Sequence, residues 1–427
     1  MREAAVAYSA LLALSDDAVL ARKALENNLM IALREIELRI PDSGARDAAL
    51  ALTPRVPSSY AGYFAVLDSV RADHGAAKAA PYVLRPAREE RMKLVVELEK
   101  EWPASPMKAY FYVAAALGGG MVAELKPQID PILDTHCENL SVKYRIQAFL
   151  PTFSEVASRA LIAQEARFGE VHFLLGQRAV LDARLADAHR ELTRARELLP
   201  DSASIALVLA NLKMAYAHYS DALSLFNAAL AAGSDGAAQL GRAKALSYMG
   251  RHLEAIDLLD ELLADLQNNP GEKYYWRAWN HLRLGRTQAA YDDAVAALKA
   301  MRNNEVYRLA GMASFSLNRL VEARDNFDNA LQMNGADCDS QRFLGQIDSA
   351  ERSWKPAFAR FSSAVACYDQ ALARMAADLA EQEKDLSGLS DGLIASLREE
   401  MKEAQALRSV SSSNVAIISK SAGFRVP

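Results

Sequence analysis

Over residues 169–367 apolar and small residues return at a fixed long interval, with a helical period inside each interval. An alanine recurs at Ala188, Ala222, Ala255, Ala290, Ala323 and Ala357, in steps of 34, 33, 35, 33 and 34 residues. Four residues after each alanine stand Leu192, Phe226, Leu259, Ala294, Phe327 and Phe361, and seven after it Ala195, Ala229, Leu262, Ala297, Ala330 and Ala364. Twelve residues before it comes a small residue every time: Gly176, Ala210, Ala243, Ala278, Gly311 and Gly345. Spacings of four and seven keep these positions on one helical face. Small residues are needed where two helix backbones approach closely, with a bulky neighbour in the adjacent groove. The pattern therefore predicts six helix pairs. Gly250-Arg251 and Gly285-Arg286 mark turns inside pairs. Leu199-Pro200-Asp201, the Gly233–Gly236 run, Asn268-Asn269-Pro270-Gly271 and Asn334-Gly335-Ala336-Asp337 mark turns between them.

The flanks keep the helical period but lose the register. Before residue 169, helices are expected over 3–14, 16–40, 59–72, 87–102, 107–117, 121–135 and 141–167, with 41–58 as a proline-bearing loop. The Gly118-Gly119-Gly120 run lacks the Lys-Ser or Lys-Thr that a phosphate loop requires and reads as a helix break. Region 1–168 is thus expected to be irregular, degenerate helical repeat. After the six units, 368–408 predicts two amphipathic helices, 368–386 and 393–407, suited to covering the last open core face. Residues 409–427 predict an orphan helix or a tail.

The small residue, the alanine, the aromatic, the second alanine and the closing turn resemble the tetratricopeptide repeat, held over six units. The first, third and fourth units depart from it with Leu192, Leu259 and Ala294 at the aromatic position, which predicts a slightly splayed packing there. The resemblance implies an all-α, right-handed solenoid of antiparallel helix pairs whose first helices line a concave groove. Carried onto this sequence, one groove ridge reads Phe173, Leu207, Leu240, Tyr275, Arg308 and Arg342. The next reads Gln177, Asn211, Lys244, Trp279, Met312 and Gln346, with Tyr248 and Phe315 one turn further on. This lining lacks the lysine and asparagine clamp of chaperone adaptors. It sets aromatics in the fourth unit beside arginines in the fifth and sixth, the residue types that dominate binding hot spots. Of Trp276 and Trp279, the second is expected to face solvent. The implied partner is a protein or peptide segment with an apolar or aromatic anchor and acidic residues.

Composition narrows the remaining options. Of 427 residues, 49 are basic and 54 acidic, a balance that argues against a nucleic-acid partner. No stretch of 18 apolar residues spans a membrane. The apolar run 4–14 follows Arg2 and Glu3 without a cleavage site before Asp16, so it predicts a first helix rather than a secretory signal. The compartment, cytoplasmic or exported, stays open. The seven histidines form no zinc-protease pair, the serines sit in no nucleophile elbow, and His136 beside Cys137 lacks further ligands. No catalytic residue, metal ligand or cofactor is therefore expected. Cys338 opens the sixth unit's first helix and Cys367 lies near the close of its second, ends that adjoin in an antiparallel pair. They predict either a disulfide or two buried thiols, and a bridge would point to an oxidising compartment. The leading functional expectation is an interaction scaffold. A self-assembling structural subunit and a solute-binding accessory protein of a bacterial transport system are the alternatives.

Overall fold

The computed structural model describes residues 16–38, 43–76, 155–164, 166–233, 236–264, 270–385 and 388–422, with a few single positions between 10 and 111. The described residues are helices and turns without strands. The helices expected over 3–14, 87–102, 107–117 and 121–135, the Gly118–Gly120 break, and the His136 and Cys137 pair lie outside them, apart from those single positions. Two compact units divide the chain: Met1–Leu209 with Ala228–Asp235, and Ala210–Asn227 with Gly236–Pro427.

In the first unit α1 (Ala18–Leu38) buries a stripe at Ala21, Leu25, Leu29, Ala32 and Leu33. Short α2 (Ala45–Ala51) falls inside the segment expected as a loop, and α3 (Ala61–Ala76) follows two single 3-10 turns. Gly44, with φ +75, supplies the left-handed residue that starts α2, which explains how a helix fits between Pro41 and Pro54. Tyr60 donates to Glu26 at 2.6 Å, and Arg46 pairs bidentately with Asp68 at 2.9 Å, tying α1, α2 and α3 together. Next come α4 (Glu155–Gln164) and the first repeat, α5 (Gly169–Leu181) and α6 (Leu185–Leu198). Leu161 of α4 packs on Val171 and Leu175, so α5 is covered on a side additional to its partner α6.

The second repeat, α7 (Ala203–Ala215) and α8 (Tyr219–Ala231), is shared between the units. The second unit continues with α9 (Gly236–Tyr248), α10 (His252–Ala264), α11 (Pro270–Arg283), α12 (Thr287–Ala300), α13 (Asn304–Ser316), α14 (Leu320–Met333), α15 (Cys338–Ala350), α16 (Trp354–Gln382) and α17 (Asp391–Ala422). All six anchor alanines are fully buried, and the positions four and seven further on are buried in every repeat. A Cβ placed on Gly176 would meet Leu192 at 2.6 Å, and one on Gly311 would meet Phe327 at 2.7 Å. The large side chain of the second helix therefore fills the space that the small residue of the first leaves open. Leu192 does this in the first repeat as Phe327 and Phe361 do in the fifth and sixth.

The turn inside each repeat is the same object six times. A left-handed residue stands five positions before each anchor: Ala183, Ala217, Gly250, Gly285, Asn318 and Arg352. The following residue's N–H, on Arg184, His218, Arg251, Arg286, Arg319 and Ser353, reaches back five residues to a carbonyl at 2.8–3.0 Å. That is the Schellman ending, which satisfies carbonyls a helix leaves orphaned. Only two of the six left-handed residues are glycine, and a non-glycine residue pays for that backbone region. Ala183→Gly and Arg352→Gly should each stabilise by up to about 1 kcal/mol, seen as a higher urea midpoint at unchanged slope. A lowered midpoint in both would mean the positive φ carries no cost here.

Two boundaries differ from the sequence expectation. Pro270 and Gly271 open α11 instead of closing a turn, because proline at the first helical position gives up only an N–H that has no intrahelical partner. At the carboxyl end, α16 runs unbroken from the sixth repeat to Gln382, and α17 is one 32-residue helix through both 393–407 and 409–422. No described helix is long and apolar enough to cross a membrane.

Candidate protein-binding face

The site begins with α11, whose sequence places Tyr275, Trp279 and Arg283 four residues apart on one face. In the fourth repeat the position that elsewhere carries a large side chain on the second helix is Ala294. Tyr275 and Trp279 of the first helix pack against that space, with Ala278, Leu309 and Ala310. The aromatic bulk has moved from the second helix to the first, and the face of α11 is aromatic for that reason.

Trp279 is half-buried rather than exposed. Its ring lies 5.9 Å from Trp276, 6.4 Å from Tyr248 and 5.5 Å from His252, with the Arg283 guanidinium 5.0 Å over it. Trp276 packs on the core formed by Ala243, Leu246 and Leu259. A buried polar chain stiffens this ground: His252 Nδ1 and Asn280 Oδ1 are 2.8 Å apart, and Asn280 Nδ2 donates to Ser247 Oγ at 2.8 Å. The expected division, Trp279 facing solvent and Trp276 in the core, is not seen: both rings are half-buried and each packs on a buried cluster.

Tyr275, Trp279, Arg283, Glu305, Arg308 and Met312 line a cavity of about 290 Å³, closed in part by Asp339 and Glu403. Burial, followed by the Glu305 carboxylate, pushes the Tyr275 phenol up to about 12, while Arg308 opposes the shift. The hydroxyl stays protonated and able to donate across the physiological range. Arg308 lies 3.7 Å from Asp337, and Lys244 pairs with Glu272 at 2.5 Å while standing over Trp276.

The other groove positions fall differently. Gln177, Asn211 and Tyr248 are exposed, and Lys244, Met312 and Gln346 are intermediate. Phe173 is only 7% exposed, so it offers nothing to a ligand. It lies on α5, whose residues 169–176 are buried except Leu174. Arg342 does not join Arg308 at the cavity. It pairs with Asp339 at 3.2 Å and lies 4.1 Å over Phe343, with a side chain 11% exposed. The expected two-arginine clamp is therefore not assembled, and the cavity holds two guanidinium groups against three carboxylates. Sequence reasoning missed Glu403, Asp339 and Glu305. Glu403 arrives from α17, outside the repeats, and no repeat position points to it.

The two cysteines meet as the antiparallel pairing predicts. Cys338 and Cys367 are joined, with Cα atoms 5.4 Å apart. Among the described residues no group of three His, Cys, Asp or Glu side chains could hold a metal ion.

No family profile matches the chain, and no curated relative matches it. Among solved structures it is similar to the APC/C hetero-tetramer Cut9–Hcn1, at 14% identity over 81% of this chain and 70% of that one, with a TM-score of 0.49. It is also similar to Pseudomonas aeruginosa PilF, at 20% identity, 46% and 90% coverage and a TM-score of 0.41. A tetratricopeptide repeat protein from Parabacteroides merdae aligns at 14% identity, 65% and 94% coverage and a TM-score of 0.31. These likenesses are distant, and the fold assignment rests on the helix pairs themselves. Six buried alanines at a step near 34, each behind the same left-handed turn, make this chain an all-α solenoid of tetratricopeptide-like helix pairs.

Proposed function

We propose that the chain is a non-enzymatic protein-interaction scaffold whose working surface is the second unit's aromatic and arginine face around Trp279. The observation that carries this reading is the convergence of Tyr275, Trp279, Arg283, Arg308 and Met312 on one cavity of about 290 Å³. Rigid aromatics give contact area at low entropy cost, and arginine adds directional donors, which is the composition of binding hot spots. The buried chain through His252, Asn280 and Ser247 favours a preformed surface, which lowers the ordering cost of association. The bridge between Cys338 and Cys367 fits an oxidising compartment.

Affinity capture with mass spectrometry identifies the partner, and titration then tests the face. Trp279→Ala should weaken binding by at least about 2 kcal/mol. Because Trp279 also packs on Ala294 and Leu309, and Met312 on the Ala323 and Phe327 core, Met312→Glu serves as a second variant and both are compared only if they melt like the wild type. Arg308→Ala should weaken binding less and reduce its salt dependence. Unchanged affinity in all three, with loss of binding from surface changes in residues 16–76, would contradict the assignment of this face.

A further inference from the structure

Helix α17 does more than close the last repeat. Its carboxyl-terminal half packs on the sixth repeat: Ile418 meets Ala357 and Phe361, and Ala404 and Leu407 join Ala364, Tyr368 and Cys338. Arg408 pairs with Asp369 of α16 at 2.5 Å. The opposite end of the helix lies far along the array, at the turn between α7 and α8. There His218 Nε2 lies 2.7 Å from the Leu389 carbonyl oxygen. A Cβ placed on Gly392 would come 2.5 Å from the Tyr216 carbonyl oxygen, so only glycine allows this approach.

Between those ends, within the second unit, side chains of the helix come near Tyr219 of α8, Tyr248 of α9 and the cavity lined by α11 and α13. Burial raises the Tyr219 phenol, with Ser396 opposing the shift and Glu400 adding to it, and the Ser396 hydroxyl donates to Glu400 at 2.9 Å. Burial first, and then Tyr219, Glu305 and Glu400, raise the Tyr248 phenol, which stacks on Tyr219 at 4.8 Å. Glu403 lines the cavity beneath, with Tyr275, Trp279 and Arg308. The internal helix thus presents Ser396, Glu400 and Glu403, spaced by four and three, to the surface assigned above to a partner.

Both halves touch α16, but unequally. The carboxyl-terminal half seats Ala404, Leu407 and Ile418 in the sixth-repeat core, whereas residues 391–403 bury only Leu397 and add the exposed Arg398–Glu383 pair at 2.7 Å, with Glu400 and Glu403 exposed. Polar contacts that stay wet contribute little each. Before the helix stands Gly388, at φ +76, followed by Ser390, whose hydroxyl donates to Asp385 and Gln382 at 2.9 Å. We propose that residues 391–403 are a displaceable internal ligand of the Trp279 face, replaced in the complex by a partner helix carrying acidic side chains three or four residues apart. This rests on the scaffold reading and adds to it the class of partner and a closed resting state.

The experiment uses the full chain. Gly392→Leu should lever the start of α17 away from Tyr216, and His218→Ala removes the other anchor without steric load. Hydrogen exchange of 391–403 should accelerate at least tenfold in both variants, with 409–422 unchanged. A fluorescein-labelled peptide of residues 389–407 should then bind the opened variants at least tenfold more tightly than the wild type, by anisotropy. Trp279→Ala in the protein, or Glu400→Lys with Glu403→Lys in the peptide, should abolish that gain. Unchanged exchange at 391–403, equal peptide binding by wild type and variants, or no binding by the opened variants would each overturn the proposal. The scaffold reading fails separately, if a captured partner ignores Trp279→Ala and Met312→Glu in the opened background.

Discussion

Replacing Phe327 by alanine should lower the stability of the second unit by about 3–5 kcal/mol. The ring is fully buried, lies over Gly311, and stacks on Phe343 with centroids 4.9 Å apart and planes within 4°. Ala323 of the same helix, Met312 and Phe315 of α13, and Leu344 and Ile347 of the next repeat pack around it. Truncation removes the transfer energy of an aromatic side chain and leaves a space that these residues cannot close without breaking the helix spacing. Ala323→Trp should destabilise from the opposite direction, since an overfilled contact forces backbone shifts costing roughly 1–3 kcal/mol or more. Three of the four tryptophans, Trp276, Trp279 and Trp354, lie in the second unit, so intrinsic fluorescence in urea reports mainly on it. A loss below about 1 kcal/mol for Phe327→Ala would show that the repeat core is not where the stability resides.

Removing the bridge should have an effect of similar size. Cys338 and Cys367 close a loop of 29 residues, worth roughly 3.5 kcal/mol in the chain-entropy model. The crosslink joins the start of α15 to α16 where Ala404 and Leu407 of α17 are seated. Its loss should therefore loosen the helix hairpin of α16 and α17 as well as the sixth repeat. Thiol titration of unreduced, denatured protein should find one thiol, Cys137, and three after reduction. The Cys338→Ser, Cys367→Ser variant should melt well below the oxidised wild type. Three thiols before reduction, or coincident melting curves, would remove the bridge from the account.

The repeats were legible because their register is a local property. Each alanine, its partner at plus four and the small residue at minus twelve belong to one helix pair, so spacing alone placed them in the core. Gly250 and Gly285 disclosed their turns. Ala183, Ala217, Asn318 and Arg352 occupy the same left-handed position without announcing it, since the hydrogen-bonded ending there overrides residue preference. The site was only partly legible. Tyr275, Trp279, Arg308 and Met312 do meet at one cavity, whereas Phe173 is buried and Arg342 is engaged by Asp339 and Phe343. Those outcomes depend on neighbours from other elements. The largest omission was the path of α17. Leu397, Ala404, Ser411 and Ile418 are buried at intervals of seven, a stripe that continues past residue 408 and marks one helix. That stripe was readable in the sequence. The Gly392 approach to Tyr216 was not, because it joins segments more than 170 residues apart.

The most direct measurement is hydrogen exchange of the full chain, alone and saturated with its captured partner. The account predicts slowed exchange across residues 270–316, which carry Tyr275, Trp279, Arg308 and Met312. It also predicts that the partner takes the place of residues 391–403, so that their exchange accelerates while 409–422 stay protected. Slowed exchange confined to residues 16–76 or 155–198, with α11, α13 and α17 unchanged, would contradict it.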